Sequence, residues 1–226
     1  MANTSTAGYG LRAVMTVGNT PATSGQSEYQ IYGQGATTGS AVLSKTFFKG
    51  DLVSINDGTG ATAAQKGYIQ DASYATTDDA GDGGAAFANN ADPLLAGVFN
   101  GAYYVAASTS KPTWSNSFDI GTTVAVDYNT GERGVTGFVI DNPNQEYNIR
   151  ANAAWQQNDV GLSYNTGSNG ATGISGMSDE RLSIATVNVL AALTLVRNAN
   201  IPDQKDQTVA GCDVVVTIAK ASALYN

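Results

Sequence analysis

The stretch from Leu95 to Arg150 constrains this chain most. It contains the apolar run Ala96-Gly97-Val98-Phe99-Asn100-Gly101-Ala102-Tyr103-Tyr104-Val105, the run Thr122-Thr123-Val124-Ala125-Val126, and Gly137-Phe138-Val139-Ile140 ahead of Asn142-Pro143. β-Branched and aromatic residues are densest here, and they suit a pleated, half-buried surface. Gly and Asn-Pro signals cut the runs to strand length. A long amphipathic helix does not fit such a pattern, so these are read as the central strands of an all-β domain.

The flanks agree. Asp51-Leu52-Val53-Ser54-Ile55, the turn signal Asn56-Asp57-Gly58 and Gly67-Tyr68-Ile69-Gln70 read as a hairpin. Val160 to Tyr164 reads as another strand. Arg181 to Leu195 mixes helix and strand formers and reads as an irregular piece leading into Ala192 to Arg197. Cys212 to Ala219 alternates as a last strand. The sum is about ten short strands with long polar loops, a single β-sandwich or barrel-like domain over residues 46–226.

Residues 1–45 differ. Gly, Thr, Ser, Ala and Asn dominate, and apolar residues are isolated: Tyr9, Leu11, Val14, Met15, Val17, Tyr29, Ile31 and Tyr32. The segment reads either as a floppy terminus or as an extended N-terminal arm docking on a neighbouring subunit. In the second case Tyr9, Leu11 and Val14 are the apolar contacts and Arg12 an ionic anchor.

Function classes narrow quickly. The chain has no histidine, which removes Ser-His-Asp and Cys-His catalysis and imidazole metal sites. Its one cysteine, Cys212, reads as a small hydrophobe and gives no disulfide framework. Thr77 to Gly84 resembles a calcium loop but fails at the third and twelfth positions, where Asn89 replaces Glu. Asp141 and Glu146 are the nearest thing to a catalytic carboxylate pair, although turn chemistry explains them better. Trp114 and Trp155 read as core or interface aromatics ahead of a sugar-stacking platform. No cofactor motif survives. A net charge of −8 with no basic cluster argues against direct nucleic-acid binding. Apolar runs of about five or six residues fall short of the roughly 20 needed to cross a membrane. No secretory signal is expected from the first residues.

The order of motifs resembles that of the decoration (cement) proteins of tailed-phage capsids, of the type common in marine and cyanobacterial phages. The resemblance runs through Gly8-Tyr9-Gly10-Leu11-Arg12, Phe48-Lys49-Gly50-Asp51-Leu52-Val53, Leu95 to Tyr104, Trp114, Phe138 to Tyr147, Val160-Gly161-Leu162 and Thr172-Gly173-Ile174-Ser175. The Asp71–Asp92 loop and the segment between Gly18 and Thr46 depart from it. The resemblance implies a β-rich virion structural protein without catalysis. Such a protein sits on the outer face of an icosahedral head, contacts the major capsid protein across subunits and stabilises the expanded shell. It is a homo-oligomer, a trimer ahead of a dimer, and lies in the host cytoplasm before assembly. Alternatives from the residues alone are a lectin-like carbohydrate-binding β-sandwich and another virion part, such as a tail-tube or capsid protein.

Overall fold

The computed structural model describes residues 3–17, 20–21, 25–32, 46–55, 67–71, 95–119, 134–167, 176–187 and 192–219. The expected strand at Thr122–Val126, the polar loop from residue 72 onward with its calcium-like sequence, and Thr172 to Ser175 lie outside them.

The regular structure of the described residues is nearly all strand. In chain order these are β1 (Arg12–Thr16), β2 (Thr20–Pro21), β3 (Ser27–Tyr32), β4 (Phe47–Phe48), β5 (Leu52–Ile55), β6 (Ile69–Asp71), β7 (Leu95–Ala106), β8 (Lys111–Ser115), β9 (Ser117–Phe118), β10 (Gly134–Ile140), β11 (Gln145–Arg150), β12 (Ser163–Gly167), β13 (Arg181–Val187), β14 (Leu193–Asn198) and β15 (Asp213–Ile218). A 3-10 turn covers Gln157–Asp159. The expected strand at Val160–Tyr164 therefore starts later, after that turn, at Ser163. Arg181 to Leu195 is not irregular: it supplies β13 and the start of β14. The described residues hold fifteen strands against the expected ten: β1, β2 and β3 fall in the segment read as an arm, β13 in the piece read as irregular, and β4 and β9 are only two residues long. Alternation cannot show over so short a run.

Two sheets make the body. In the first, β10, β3, β6, β5 and β7 pair in that order, and β7 pairs back to β10, closing a five-stranded barrel. Only β3 and β6 run parallel in it. The twelve-residue β7 is the longest strand in the wall of this barrel. Its first half pairs with β5 and its second half with β8, while β10 runs along its other edge. Two register shifts bend it, one opposite Val53/Ser54 and one opposite Phe138/Val139. Gly97 and Gly101 sit at these bends with φ of 154° and 152°, a region that L side chains rarely enter. Glycine bulges of this kind let a long strand curl into a closed barrel.

Ile31, Val53, Ile69, Phe99, Ala102, Val135 and Val139 fill the barrel, as expected for a cylinder too narrow to leave a channel. The β4–β9 ribbon closes one side, with Phe47 stacked 5.4 Å from Phe99 and Phe118 5.4 Å from Tyr104.

The second sheet has the order β13-β12-β14-β15-β11-β1-β2. Its inner face carries Tyr147, Ile149, Leu193, Leu195, Val214 and Val216, which pack with Leu52, Leu95, Val98 and Ile140 from the barrel wall. The Asp141–Asn144 corner carries the chain from barrel to sheet. There Gln145 donates its backbone N–H to the Asn142 carbonyl, and the Asn142 side chain accepts from the Asn144 N–H at 2.9 Å. This is an Asx turn.

Residues 1–45, read as an arm, are described only in part. Their described parts contribute β1 and β2 to one sheet and β3 to the barrel. Of its isolated apolar residues, Val14 and Met15 lie on β1 and Tyr29, Ile31 and Tyr32 on β3, strands that pair with β11 and β10 more than 100 positions away.

Candidate interaction surface

The four residues singled out as contacts separate into two pairs. Leu11 is 3% exposed and belongs to the core between barrel and sheet. Tyr9 is packed between two guanidiniums, with Arg12 at 4.3 Å and Arg150 at 5.0 Å from its ring centre. Burial pushes its phenol well above the usual range. The charge of Asp213 adds to that shift, and Arg150 and Arg12 oppose it. Both residues therefore face their own chain. Arg12 is exposed, and Val14 is half-buried at the register shift of β1. Met15 and Val17, just beyond, are exposed.

The segment before β1 is tied down by side chains. Arg150 forms a buried ion pair with Asp213 at 2.8 Å and donates a further hydrogen bond to the Ala7 carbonyl at 2.9 Å. Asn3 donates to the carbonyls of Asp206 and Ala210 and accepts from the Asp206 N–H. Arg181 holds the Thr6 carbonyl at 2.9 Å.

The candidate acid pair does other work. Asp141 accepts a hydrogen bond from the Tyr29 hydroxyl at 3.0 Å. Glu146 is clamped by both terminal nitrogens of Arg197, at 2.9 and 2.6 Å. Bidentate geometry of this type is the strong form of an ion pair. Cys212 is fully buried, and burial pushes its thiol up. Among the described residues no group of three or more Cys, Asp and Glu is placed to hold a metal. No described helix is long and apolar enough to cross a membrane.

The two tryptophans part company. Trp155 is buried in the core between barrel and sheet. Trp114 is 49% exposed on β8, at the margin of the barrel. Its six-membered ring covers Gly101, where a Cβ would come 2.6 Å from Cζ2, and it stacks 4.9 Å from Phe138. One side of the indole is thus fixed by the barrel. Directly opposite on β7 stands Tyr103, 43% exposed. Tyr103 faces Thr136 on β10, and Thr136 faces Gln30 on β3. Residues directly opposite one another project from the same face. Gln30, Thr136, Tyr103 and Trp114 therefore form one row across four strands, about 14 Å long at ~4.8 Å per strand. Trp114 stands out in the sequence, but the row does not, because its four residues come from four strands; the adjacent pair Tyr103-Tyr104 is its one local signal.

Four of the motifs that carry the resemblance converge elsewhere, at the joint of barrel and sheet. Leu11 donates its N–H to the Gly50 carbonyl at 2.9 Å, and Gly50 donates to the Phe99 carbonyl at 2.8 Å. Phe99 donates to the Asp51 carbonyl at 2.9 Å. The Asp51 carboxylate accepts from the Phe48 N–H at 2.7 Å. Gly50, at φ 101°, lies so close to Gly10 and Leu11 that a Cβ would meet their backbone at 3.2–3.3 Å. Tyr147 reaches back to the Ile140 carbonyl at 3.1 Å. Comparison with family models, curated proteins and solved structures finds no match to this chain.

Proposed function

We propose that the chain is a virion structural protein of the decoration, or cement, type. It binds the outer face of an icosahedral head across major capsid subunits and stabilises the expanded shell. The observation that carries this reading is the convergence of four separate motifs. Gly8–Arg12, Phe48–Val53 and Leu95–Tyr104 are joined by backbone hydrogen bonds, and Phe138–Tyr147 joins them through the pairing of β10 with β7. Motifs that together specify one joint are harder to match by chance than the same motifs scattered over the surface.

The surface chemistry suits the role. Charged residues are only 13% of the chain, so the body presents amides and hydroxyls to a repetitive lattice. Modest contacts suffice where a symmetric shell multiplies them. The β1–β2 margin of the larger sheet, with Arg12, Val14, Met15 and Val17, is the proposed capsid contact. Self-association, as a trimer ahead of a dimer, belongs to the same proposal.

The test is co-sedimentation of the purified protein with expanded heads that lack it, followed by heating or low-salt challenge. Saturable binding at a fixed ratio to the capsid protein, with delayed rupture, is the expected result. Met15→Asp with Val17→Asp should weaken binding at least tenfold with unchanged thermal unfolding. A folded protein that stays in the supernatant overturns the proposal.

A further inference from the structure

We propose that the row Gln30–Thr136–Tyr103–Trp114 is a glycan-binding platform, a site separate from the proposed capsid contact. The row lies on the outer wall of the barrel, whereas Arg12 to Val17 lie on the other sheet. Its chemistry is that of a sugar site. The apolar face of a pyranose ring stacks on aromatic rings, and its hydroxyls exchange hydrogen bonds with amide and hydroxyl groups and donate to carboxylates. Two exposed aromatic rings occupy one end of the row. The Thr136 hydroxyl and Gln30 amide occupy the other, and Glu28 stands in the next row opposite Phe138.

Three further observations favour this occupant. Trp114 is preorganised: its inner side rests on Gly101 and Phe138, so little side-chain freedom is lost on stacking. The row spans about 14 Å measured along the curved outer wall of the barrel, the dimension of a short oligosaccharide rather than of a second copy of the chain. A stable protein interface engages about 20–30 residues a side, and two exposed rings in a row of four do not supply that. Finally, Glu28 is the only formal charge along these two rows. This fits a neutral chain of sugars better than an acidic or basic peptide.

The experiment uses the full chain carrying Trp155→Phe, which leaves Trp114 as the sole tryptophan. Its fluorescence is titrated with maltohexaose, cellohexaose and chitohexaose. A saturable change with at least one of the three is expected. Tyr103→Ala should weaken that binding at least tenfold and Gln30→Ala severalfold, each with unchanged circular dichroism. Trp114→Phe keeps a ring over Gly101 and should retain weakened binding, read by calorimetry; it guards against a fold defect in Trp114→Ala. No saturable change with any of the three, in protein with a native thermal transition, overturns the proposal. So does loss of head co-sedimentation in Tyr103→Ala, which would make the row a protein contact. Glycan binding with no head binding would overturn only the decoration reading.

Discussion

Gly97 shows how one residue sets the shape of the barrel. At φ 154° it lies in a region closed to side chains, and a methyl there would run into the Ile140 carbonyl. That carbonyl also accepts the Tyr147 hydroxyl, so displacing it disturbs the joint as well as the bend. Gly97→Ala should cost more than about 2 kcal/mol, combining backbone strain with a clash against main chain. Gly134 provides the control. It is exposed, lies at ordinary φ and has nothing within 4 Å of a would-be Cβ. Gly134→Ala should move the urea midpoint little. Equal midpoints for the two variants would show that the bend is not specified by Gly97. Both glycines were plain in the sequence, but nothing there distinguished the one that must be glycine. The difference lies in how closely β10 passes, and pairing of distant strands decides that.

At the scale of elements, β1 matters most to what can be tested. It was read as part of an arm because its apolar residues are few and spaced. In the structure it is a strand with β11 on one side and β2 on the other, and the residue just before it, Leu11, lies in the core. Losing a buried leucine side chain alone costs about 2–5 kcal/mol. Deleting residues 1–17 also strips Arg150 of its bond to Ala7 and exposes the edge of β11. The truncated protein should melt lower by on the order of 10 °C, at about 2–4 °C per kcal/mol for a chain of this size. An unchanged melting temperature would restore the picture of a detachable arm. Loss of head binding in such a truncation would therefore not locate the contact, which is why surface substitutions at Met15 and Val17 are the better probe. The row on the barrel belongs to this scale too. Four strands drawn from three parts of the chain each supply one residue.

Taken whole, the molecule is two cores sharing strands. Leu52 and Val98 face the core between barrel and sheet, whereas their neighbours Val53 and Phe99 face the barrel interior. The core between barrel and sheet depends on keeping the buried Tyr147 phenol neutral. Burial pushes Tyr147 far above its usual range, with the charge of Asp141 adding to the effect, and Tyr9 is raised for a similar reason. The sign follows from linkage. The folded state holds these protons where the unfolded state, ionising near pH 10, releases them. Stability from these groups is full below about pH 10 and falls as the pH rises beyond it. Tyr147 alone should contribute a slope of about 1.4 kcal/mol per pH unit in that window. Urea midpoints at pH 8 and 11, with phenolate absorbance followed in parallel, check this. Ionisation of every tyrosine in still-folded protein at pH 11 would contradict it.

The sequence by itself determined the class of fold. Short β-branched and aromatic runs, cut by glycine and Asn-Pro, can bury their apolar atoms only as paired strands, and the strands at Leu52–Ile55, Leu95–Ala106, Gly134–Ile140 and Asp213–Ile218 were legible for that reason. Removal of histidine-based chemistry was also a matter of composition. Tertiary structure alone decided which strands close the barrel, that Leu11 and Tyr9 turn inward, that Trp155 is buried while Trp114 is exposed, and that Gln30 stands in line with Trp114. Each depends on pairing across long separations. Periodicity along a chain says which residues share a face, but not which distant strand lies beside it.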